Sequence, residues 1–325
     1  MSHAVQVHQP GGPEVLAWEE VAVGDPGPDQ VRLRQTAVGL NFIDVYHRSG
    51  QYDQPLPFTP GVEGAGIVES VGPDVEDLKP GDRVAYAGPI GGYAEVRLIA
   101  ADRLVKLPDD ISEEQAAAVM LQGMTVDMLI RSVRPLKAGG TILIHAAAGG
   151  VGLILCQWAS ALGATVIGTV SSDEKAELAR AHGCHHPIVY TRDDFVAEVD
   201  RLTEGRKLPV VYDSVGADTF LRSLDCLQKR GLMVSFGQSS GPVEPFAPRL
   251  LAQKGSLFVT RPTLFDYIAG RNDLEQSAAS LFDAVRTGKV EIDIGQRFPL
   301  SQAAEAHRAL ETRQTVGSTI LTVDA

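Results

Sequence analysis

The stretch TILIHAAAGGVGLILCQWASALGATVIGTVSS, residues 141–172, decides the fold. With Ala138, Gly139 and Gly140 before it, the run 138–172 holds no Asp, Glu, Lys or Arg. A run of that length could cross a bilayer, but Gly149, Gly150, Gly152 and Gly163 interrupt it. It divides instead into a strand over 141–147, a glycine turn, a helix over 151–162 and a strand over 164–170. A βαβ unit buried on both faces reads this way, as continuous apolar sequence. The turn, Ala147-Ala148-Gly149-Gly150-Val151-Gly152, is G-x-G-x-x-G with Ala147 in place of the first glycine. That pattern brings backbone close to a pyrophosphate, which rests on the free N–H groups and positive end of the following helix. An ordinary tight βα turn can carry the same residues, so the surroundings decide.

Downstream the alternation continues. Strands are predicted at 186–190, 209–214, 231–236 and 256–261, with amphipathic stretches at 173–182, 193–204, 217–228 and around 247–253. Six strands joined by helical crossovers make a doubly wound parallel sheet, an α/β fold. The first 110 residues differ. Short strands are predicted at 4–7, 31–41, 64–71, 83–86 and 93–98, between turns such as Gly11-Gly12-Pro13 and Lys79-Pro80-Gly81-Asp82. Regular turns between short alternating strands suggest a small barrel or sandwich. Ser112 followed by Glu113, Glu114 and Gln115 starts a helix running to Arg131. The tail adds helices at 274–287 and 302–311 and strands at 292–298 and 318–323.

Composition agrees with this plan. At 325 residues, two domains are the default. The 29 basic and 41 acidic residues leave a net charge of −12, and basic residues come singly or in pairs. Nucleic-acid binding leaves a basic stripe, so no such partner is expected. Cys156, Cys184 and Cys226 are an odd, widely spaced set, neither a disulfide framework nor a cysteine zinc site. A reducing, cytoplasmic compartment is expected, with no membrane partner; residues 1–10 lack the features of a signal peptide.

An NAD site places an acid at the tip of the second strand, against the ribose 2′-hydroxyl. Here the strand ends at Val170, and Ser171-Ser172 follow; Asp173 lies just beyond, and Lys175 and Tyr190 are the nearby polar groups. A hydroxyl, a cation and a phenol suit a 2′-phosphate, so NADPH is expected. Lys175 also reads as a solvated helix position.

Further stretches carry a resemblance. They are Gly11-Gly12-Pro13-Glu14-Val15-Leu16, Gly39-Leu40-Asn41-Phe42-Ile43-Asp44, Gly61-Val62-Glu63-Gly64-Ala65-Gly66, Gly81-Asp82-Arg83-Val84, 145–152 and Ser235-Phe236-Gly237. Over essentially its whole length the chain resembles the quinone oxidoreductase (zeta-crystallin-like) branch of the medium-chain dehydrogenase/reductase superfamily. The resemblance implies a GroES-like catalytic domain (1–124 and 263–325), a Rossmann NADPH-binding domain (125–262) and a cleft between them. Zinc-dependent relatives use a Cys near position 41 and a His before the Glu of the Gly-x-Glu-Gly turn; here stand Asn41 and Val62, and residues 80–120 hold no Cys. Neither side chain is a zinc ligand, so no metal is expected. Without zinc, reduction of an acceptor that is already electrophilic is expected: a quinone, or a conjugated carbonyl.

Hydride transfer to a quinone needs orientation and a donor near the developing oxyanion. Asn41, which the resemblance places by the nicotinamide, is a candidate with Asp44, Tyr46 and Tyr52. Asp44 also fits a cap for the helix after Asn41, and the tyrosines also fit half-buried packing. Cofactor contacts are expected from Asn41, Gly149, Gly150, Val151, Gly152, Ser171, Lys175 and Tyr190. The resemblance adds Ser214, Phe236, Gly237, Thr260, Arg261 and Arg313. It also implies a homodimer joined through the edge strand 256–261. Rival readings are an enone or enal reductase, and a non-enzymatic NADPH-binding or RNA-binding protein. Two motifs are decoys. Gly237-Gln238-Ser239-Ser240-Gly241 fits a nucleophile elbow, but Pro242 and Pro245 prevent the helix that an elbow needs. His182, Cys184, His185 and His186 sit too close together in sequence to converge on one ion.

Overall fold

A computed structural model describes residues 2–323. Within those limits the chain forms two compact units, Met1–Met124 with Ile268–Arg286 and Ile292–Ala325, and Thr125–Tyr267 with Thr287–Glu291.

The first unit is built around one long strand. β1 (Ser2–Val7) and β2 (Leu16–Val21) form an antiparallel pair. β3 (Gln30–Leu40) then runs for eleven residues; alternate side chains are buried from Gln30 to Thr36, the strand period of two, and Ala37 to Leu40 are all buried. It pairs with β4 (Glu63–Val71), which leads on to β5 (Arg83–Ala87) and β7 (Val105–Lys106), while β6 (Val96–Ala100) pairs back onto β3. Helix α1 (Phe42–Arg48) follows β3 directly, and α2 (Glu113–Asp127) continues into a π-helical turn at Met128–Val133. Among the described residues, Glu113–Val133, not 138–172, is the helix long and apolar enough to cross a membrane, and most of it is buried in the fold.

The second unit carries the parallel sheet. Its strands are β8 (Thr141–Ile144), β9 (Thr165–Val170), β10 (His186–Val189), β11 (Leu208–Asp213), β12 (Leu227–Ser235) and β13 (Phe258–Thr260). They lie in the order β10-β9-β8-β11-β12-β13, all parallel. Ile167, Leu143, Val211 and Met233 sit side by side across four strands and are all fully buried. The crossovers hold α3 (Gly150–Ala161), α4 (Asp173–Ala181), α5 (Phe195–Leu202), α6 (Phe220–Ser223) and α7 (Arg249–Gln253), and α8 (Leu264–Tyr267) follows the last strand. The chain then returns to the first unit with α9 (Arg271–Arg286), β14 (Ile294–Pro299), α10 (Ala303–Glu311) and β15 (Ser318–Thr322), which pairs with β3.

Several expectations need correction. The strand β2 was not foreseen, because its Leu-Ala-Trp-Glu-Glu-Val sequence is only half-buried and does not alternate. The strand expected at 93–98 begins at Val96 instead, because Gly91 at φ +115° turns the chain and Tyr93 points into the core. The helix expected at 217–228 is one turn, α6, plus a tighter turn at Leu224–Cys226, because Leu227 already pairs with Leu208. Residues 263–267 and 287–291, expected with the catalytic domain, belong to the second unit. Glu291 is held there by Gln157 of α3, whose amide exchanges two hydrogen bonds with its backbone, at 2.7 and 3.1 Å.

Candidate functional site

The turn after β8 is shaped by what its residues lack. Ala146 takes φ +54°, and Gly149 N–H returns to Ala146 O at 3.0 Å. A Cβ on Gly152 would lie 2.2 Å from Ala146 O, so no side chain fits there. The first bond within α3 runs from Leu153 N–H to Gly149 O. The amides of Gly150, Val151 and Gly152 therefore have no acceptor inside the helix, the arrangement that receives a phosphate. Ala147 stands where the motif's first glycine would be, and the missing atom has moved to the next strand. A Cβ on Gly168 would meet the Ala147 methyl at 2.6 Å and Cys184 Sγ at 2.7 Å. His145 is buried beneath the turn, its ring nitrogens on Thr169 Oγ1 (2.9 Å) and Ser223 Oγ (2.7 Å). Burial holds it below the usual histidine range, so it stays neutral.

The other expected cofactor residues of this unit gather at the same carboxyl edge of the sheet. Ser171 follows β9, and Ser172 caps α4 by accepting from Lys175 N–H at 3.3 Å. Tyr190 follows β10, its N–H on Val170 O at 3.1 Å. Asp213, at the end of β11, is fully buried and accepts from Val215 N–H, Gly216 N–H and Thr219 Oγ1, which folds the chain just past Ser214. Phe236 and Gly237 follow β12; a Cβ on Gly237 would lie 2.6 Å from Ser214 O, so the two loops touch backbone to backbone. Thr260 ends β13, and the next residue, Arg261, donates to Gly237 O at 2.8 Å. These residues fit a dinucleotide laid along the strand ends, the place where an open parallel sheet binds one. Arg192 was missed by the sequence reading. It lies two residues past Tyr190 and forks onto Asp173 at 3.2 Å.

The loop around Asn41 is built in the opposite way, from buried side chains. Asn41 Nδ2 donates to Glu63 Oε2 at 2.7 Å, and Asn41 Oδ1 accepts from Gln122 Nε2 at 3.1 Å. Glu63 Oε1 accepts from Leu121 N–H at 2.6 Å, and Gln122 Oε1 from Ser318 Oγ at 2.9 Å. Gly39 makes room, since a Cβ there would sit 2.2 Å from Glu63 Oε2. Asp44 accepts from Asn41 N–H at 2.9 Å, which closes the first turn of α1, and from Tyr93 O–H at 3.0 Å. It is fully buried, so it stands as a cap and network member. Burial pushes its carboxyl up to about 7, and that of Glu63 to about 8.

Behind Tyr93 the network continues to the surface. Arg48 Nη1 lies 3.0 Å from His307 Nδ1, and a guanidinium can only donate, so Nδ1 accepts. His307 Nε2–H then donates to Tyr93 Oη at 3.0 Å. Burial and the Arg48 charge push His307 down to about 3. Arg48 also forks onto Glu311 at 2.8 and 2.9 Å and reaches Gly11 O at 3.1 Å. Sequence reading missed Arg48, Glu63, Tyr93, Gln122, His307 and Ser318, although Glu63 lay in a quoted motif. Tyr46 is buried and Tyr52 half-buried; their rings meet edge to face at 5.3 Å. Arg313 takes φ +60° just after α10, as a helix-ending residue.

These residues do not suit zinc. Both polar atoms of the Asn41 amide are engaged by Glu63 and Gln122, and Val62 offers only a buried isopropyl group. The decoys are accounted for as well. Residues 241–247 are irregular, so no helix opens after Ser239, the serine of the elbow motif. His182 Nδ1 lies on Leu178 O and His185 Nδ1 accepts from Val166 N–H, so both rings serve backbone.

Comparison with known proteins agrees along the whole chain. Residues 150–284 match the family described as zinc-binding dehydrogenase, and residues 27–109 the alcohol dehydrogenase GroES-like domain. A quinone oxidoreductase of Pseudomonas aeruginosa is 54% identical over 323 residues, 99% of each chain. A 2-haloacrylate reductase of a Burkholderia species is 46% identical, again over 99% of each. The crystal structure of Escherichia coli quinone oxidoreductase complexed with NADPH superposes with a TM-score of 0.97 at 48% identity, covering 98% of this chain and 99% of that one.

Proposed function

The chain belongs to the quinone oxidoreductase family of the medium-chain dehydrogenase/reductase superfamily, and on that premise we propose that it reduces quinones with NADPH, by hydride transfer without zinc. The observation that carries the reading is the presence, together with a glycine-rich dinucleotide turn, of an Asn41 amide held by Glu63 and Gln122 at the position where zinc-dependent relatives place a thiolate. With no metal ligand to activate an alcohol, the chemistry falls to acceptors that are already electrophilic.

NADPH, when bound, supplies the hydride. The amides of Gly150, Val151 and Gly152 would hold its pyrophosphate, and Ser171, Lys175 and Tyr190 would surround its 2′-phosphate. Ser214, Phe236, Gly237, Thr260 and Arg261 would line the nicotinamide half, and Arg313 would be a further contact. On the family resemblance, Asn41 would present its clamped amide to the nicotinamide. Tyr46 and Tyr52 stack on the acceptor or donate to the oxygen that gains charge. Asp44 works through Asn41, whose backbone N–H it holds.

The Burkholderia relative favours one second reading, reduction of a conjugated carbon–carbon double bond. Purified protein with NADPH should oxidise the cofactor faster with benzoquinone than with methyl vinyl ketone or 2-chloroacrylate. The reverse order would transfer the assignment to the second reading, and no turnover of any of them would defeat both.

The assembly proposed is a homodimer. The edge strand β13, within the expected 256–261, exposes Phe258 (59%) and Val259 (36%). An exposed apolar edge invites pairing with its own copy, which closes about a two-fold axis. Light scattering should give twice 34.7 kDa at micromolar concentration. The cytoplasm is the proposed location, supported by three buried free thiols.

A further inference from the structure

We propose that Arg192 and Asp173 form a charge latch that sets selectivity for the 2′-phosphate of NADPH, with Arg192 as the guanidinium that receives it. The inference rests on the NADPH reading above and adds to it a residue pair that Ser171, Lys175 and Tyr190 do not include.

The placement follows from the sheet. The strand order reverses direction between β8 and β11, so a dinucleotide lies across that point and its adenosine ribose reaches the neighbouring tip of β9. The tip of β10 is level with it, since Val189 pairs with Val170. Tyr190 N–H donates to Val170 O, and Thr191 Oγ1 donates to Ser171 O at 3.2 Å. Residues 190 and 191 are thereby laced onto the end of β9 and the residue after it. Arg192 then forks onto Asp173 at 3.2 Å, with its Nε 3.5 Å from Asp193. The guanidinium stands at the first turn of α4, one residue past the cap serine and two before Lys175.

The charges explain why a pair is needed. Asp173 is the acid nearest the tip of β9, where an NAD site keeps a carboxylate for the ribose hydroxyls. Left alone, it would repel a 2′-phosphate and attract a 2′-hydroxyl. Arg192 occupies it and reverses both preferences. The pair is solvent-exposed, 59% and 76%, so its bond is weak and is given up at little cost. A phosphate dianion offers the same fork geometry with more charge, so the exchange runs towards the cofactor. A ribose hydroxyl offers no such exchange, and Arg192 stays on Asp173.

The test is equilibrium binding of NADPH, NADH and 2′,5′-ADP to the full chain. Arg192→Ala should lower the NADPH-to-NADH affinity ratio about tenfold or more and weaken 2′,5′-ADP in step. Arg192→Lys, which keeps charge but loses the fork, should fall between. The double variant Arg192→Ala/Asp173→Ala should recover part of the lost NADPH affinity, because the exposed carboxylate is gone as well. An unchanged ratio in Arg192→Ala, while Lys175→Ala still lowers it, would overturn the latch and leave the NADPH reading standing. Wild-type protein that binds both cofactors equally would overturn that reading and the latch together. Equal losses for single and double variants would show that Asp173 takes no part and would also overturn it.

Discussion

The glycine turn of the parallel sheet and the Asn41 loop of the first unit reach the same end, a fixed geometry, by opposite means. The turn is made of backbone. Its position depends on atoms that are missing, at Gly152 and Gly168, and both glycines lie within one βαβ unit. The Asn41 loop is made of buried side chains, and its partners come from far away in sequence. Glu63 is 22 residues distant, Gln122 81, and the Arg48–His307 contact spans 259. A backbone device is cheap to keep, because amides need no extra burial of charge. A side-chain device holds carboxylates and a guanidinium out of water, which is stable only while every partner is present.

The largest expected effect breaks the backbone device. Gly150→Val places a branched side chain where the pyrophosphate must approach the helix start. NADPH affinity should fall by about a hundredfold or more, each tenfold being about 1.4 kcal/mol. Unfolding should change much less, since Gly150 is the first residue of α3 and not packed beneath it. Native NADPH affinity in this variant, read by fluorescence titration, would place the cofactor elsewhere.

Next comes the side-chain device. Arg48→Met removes the guanidinium from His307, Glu311 and Gly11 O and leaves the others without it. Breaking a buried pair costs roughly 3–5 kcal/mol. The low end applies, because the Glu311 side chain is 33% exposed. Urea unfolding should show the loss, with NADPH affinity of the folded fraction retained. A stability within about 0.5 kcal/mol of wild type, the range of an ordinary surface change, would mean that the network is not structural.

This contrast also explains what could be read from the sequence. The parallel sheet was legible nearly strand by strand, because a doubly buried βαβ unit announces itself in consecutive residues. The corrections cluster where pairing overrides local pattern, as at Leu227, or where a half-buried strand such as β2 has no clear alternation. Asn41 could be singled out, and Asp44 could be suspected as a cap. The clamp on Asn41 could not be seen, because nothing near Glu63 or Gln122 in the sequence points to position 41. Gly39 was the one local trace of it, a glycine whose missing Cβ is the space of the Glu63 carboxylate. Arg192 was passed over because the acids that follow it, Asp193 and Asp194, disguise a cation as part of an acidic stretch, and its partner Asp173 lies 19 residues away.

The buried acids make a pH test of intermediate size. Asp44 and Glu63 sit near 7 and 8 when folded, against 3.8 and 4.5 when exposed. The folded chain therefore holds protons that the unfolded chain has released, and stability present at low pH is lost as pH rises through 7 to 8. His307 acts the other way, with 6.5 exposed and about 3 folded, so its contribution changes only below about 6.5. From about pH 7 to 8 the acids dominate, because the lowered histidines, His47, His145 and His186 with His307, have released most of their protons in both states, and stability should fall by up to about 1.4 kcal/mol per pH unit for each proton held. Glu63→Gln should flatten that slope, whatever it does to the absolute value. A flat wild-type profile would mean that both carboxyls ionise freely inside the fold.

The smallest effect concerns the tyrosines, and here the structure orders two candidates that the sequence left equal. Tyr46 is 6% exposed and packs under Tyr52, whose ring is half-buried. A hydroxyl that meets the acceptor must reach solvent before the acceptor arrives, so Tyr52 is the better placed of the two. A neutral hydrogen bond contributes about 0.5–1.5 kcal/mol, or about two- to tenfold in rate. Tyr52→Phe should thus slow quinone turnover by that factor, and Tyr46→Phe by less. Both should leave the NADPH dissociation constant within about twofold, because neither ring belongs to the unit that carries the glycine turn. Stacking alone would leave turnover intact in Tyr52→Phe, since phenylalanine keeps the ring. A loss of NADPH affinity in either variant would erase the division of labour between a backbone device for the cofactor and a side-chain device for the acceptor.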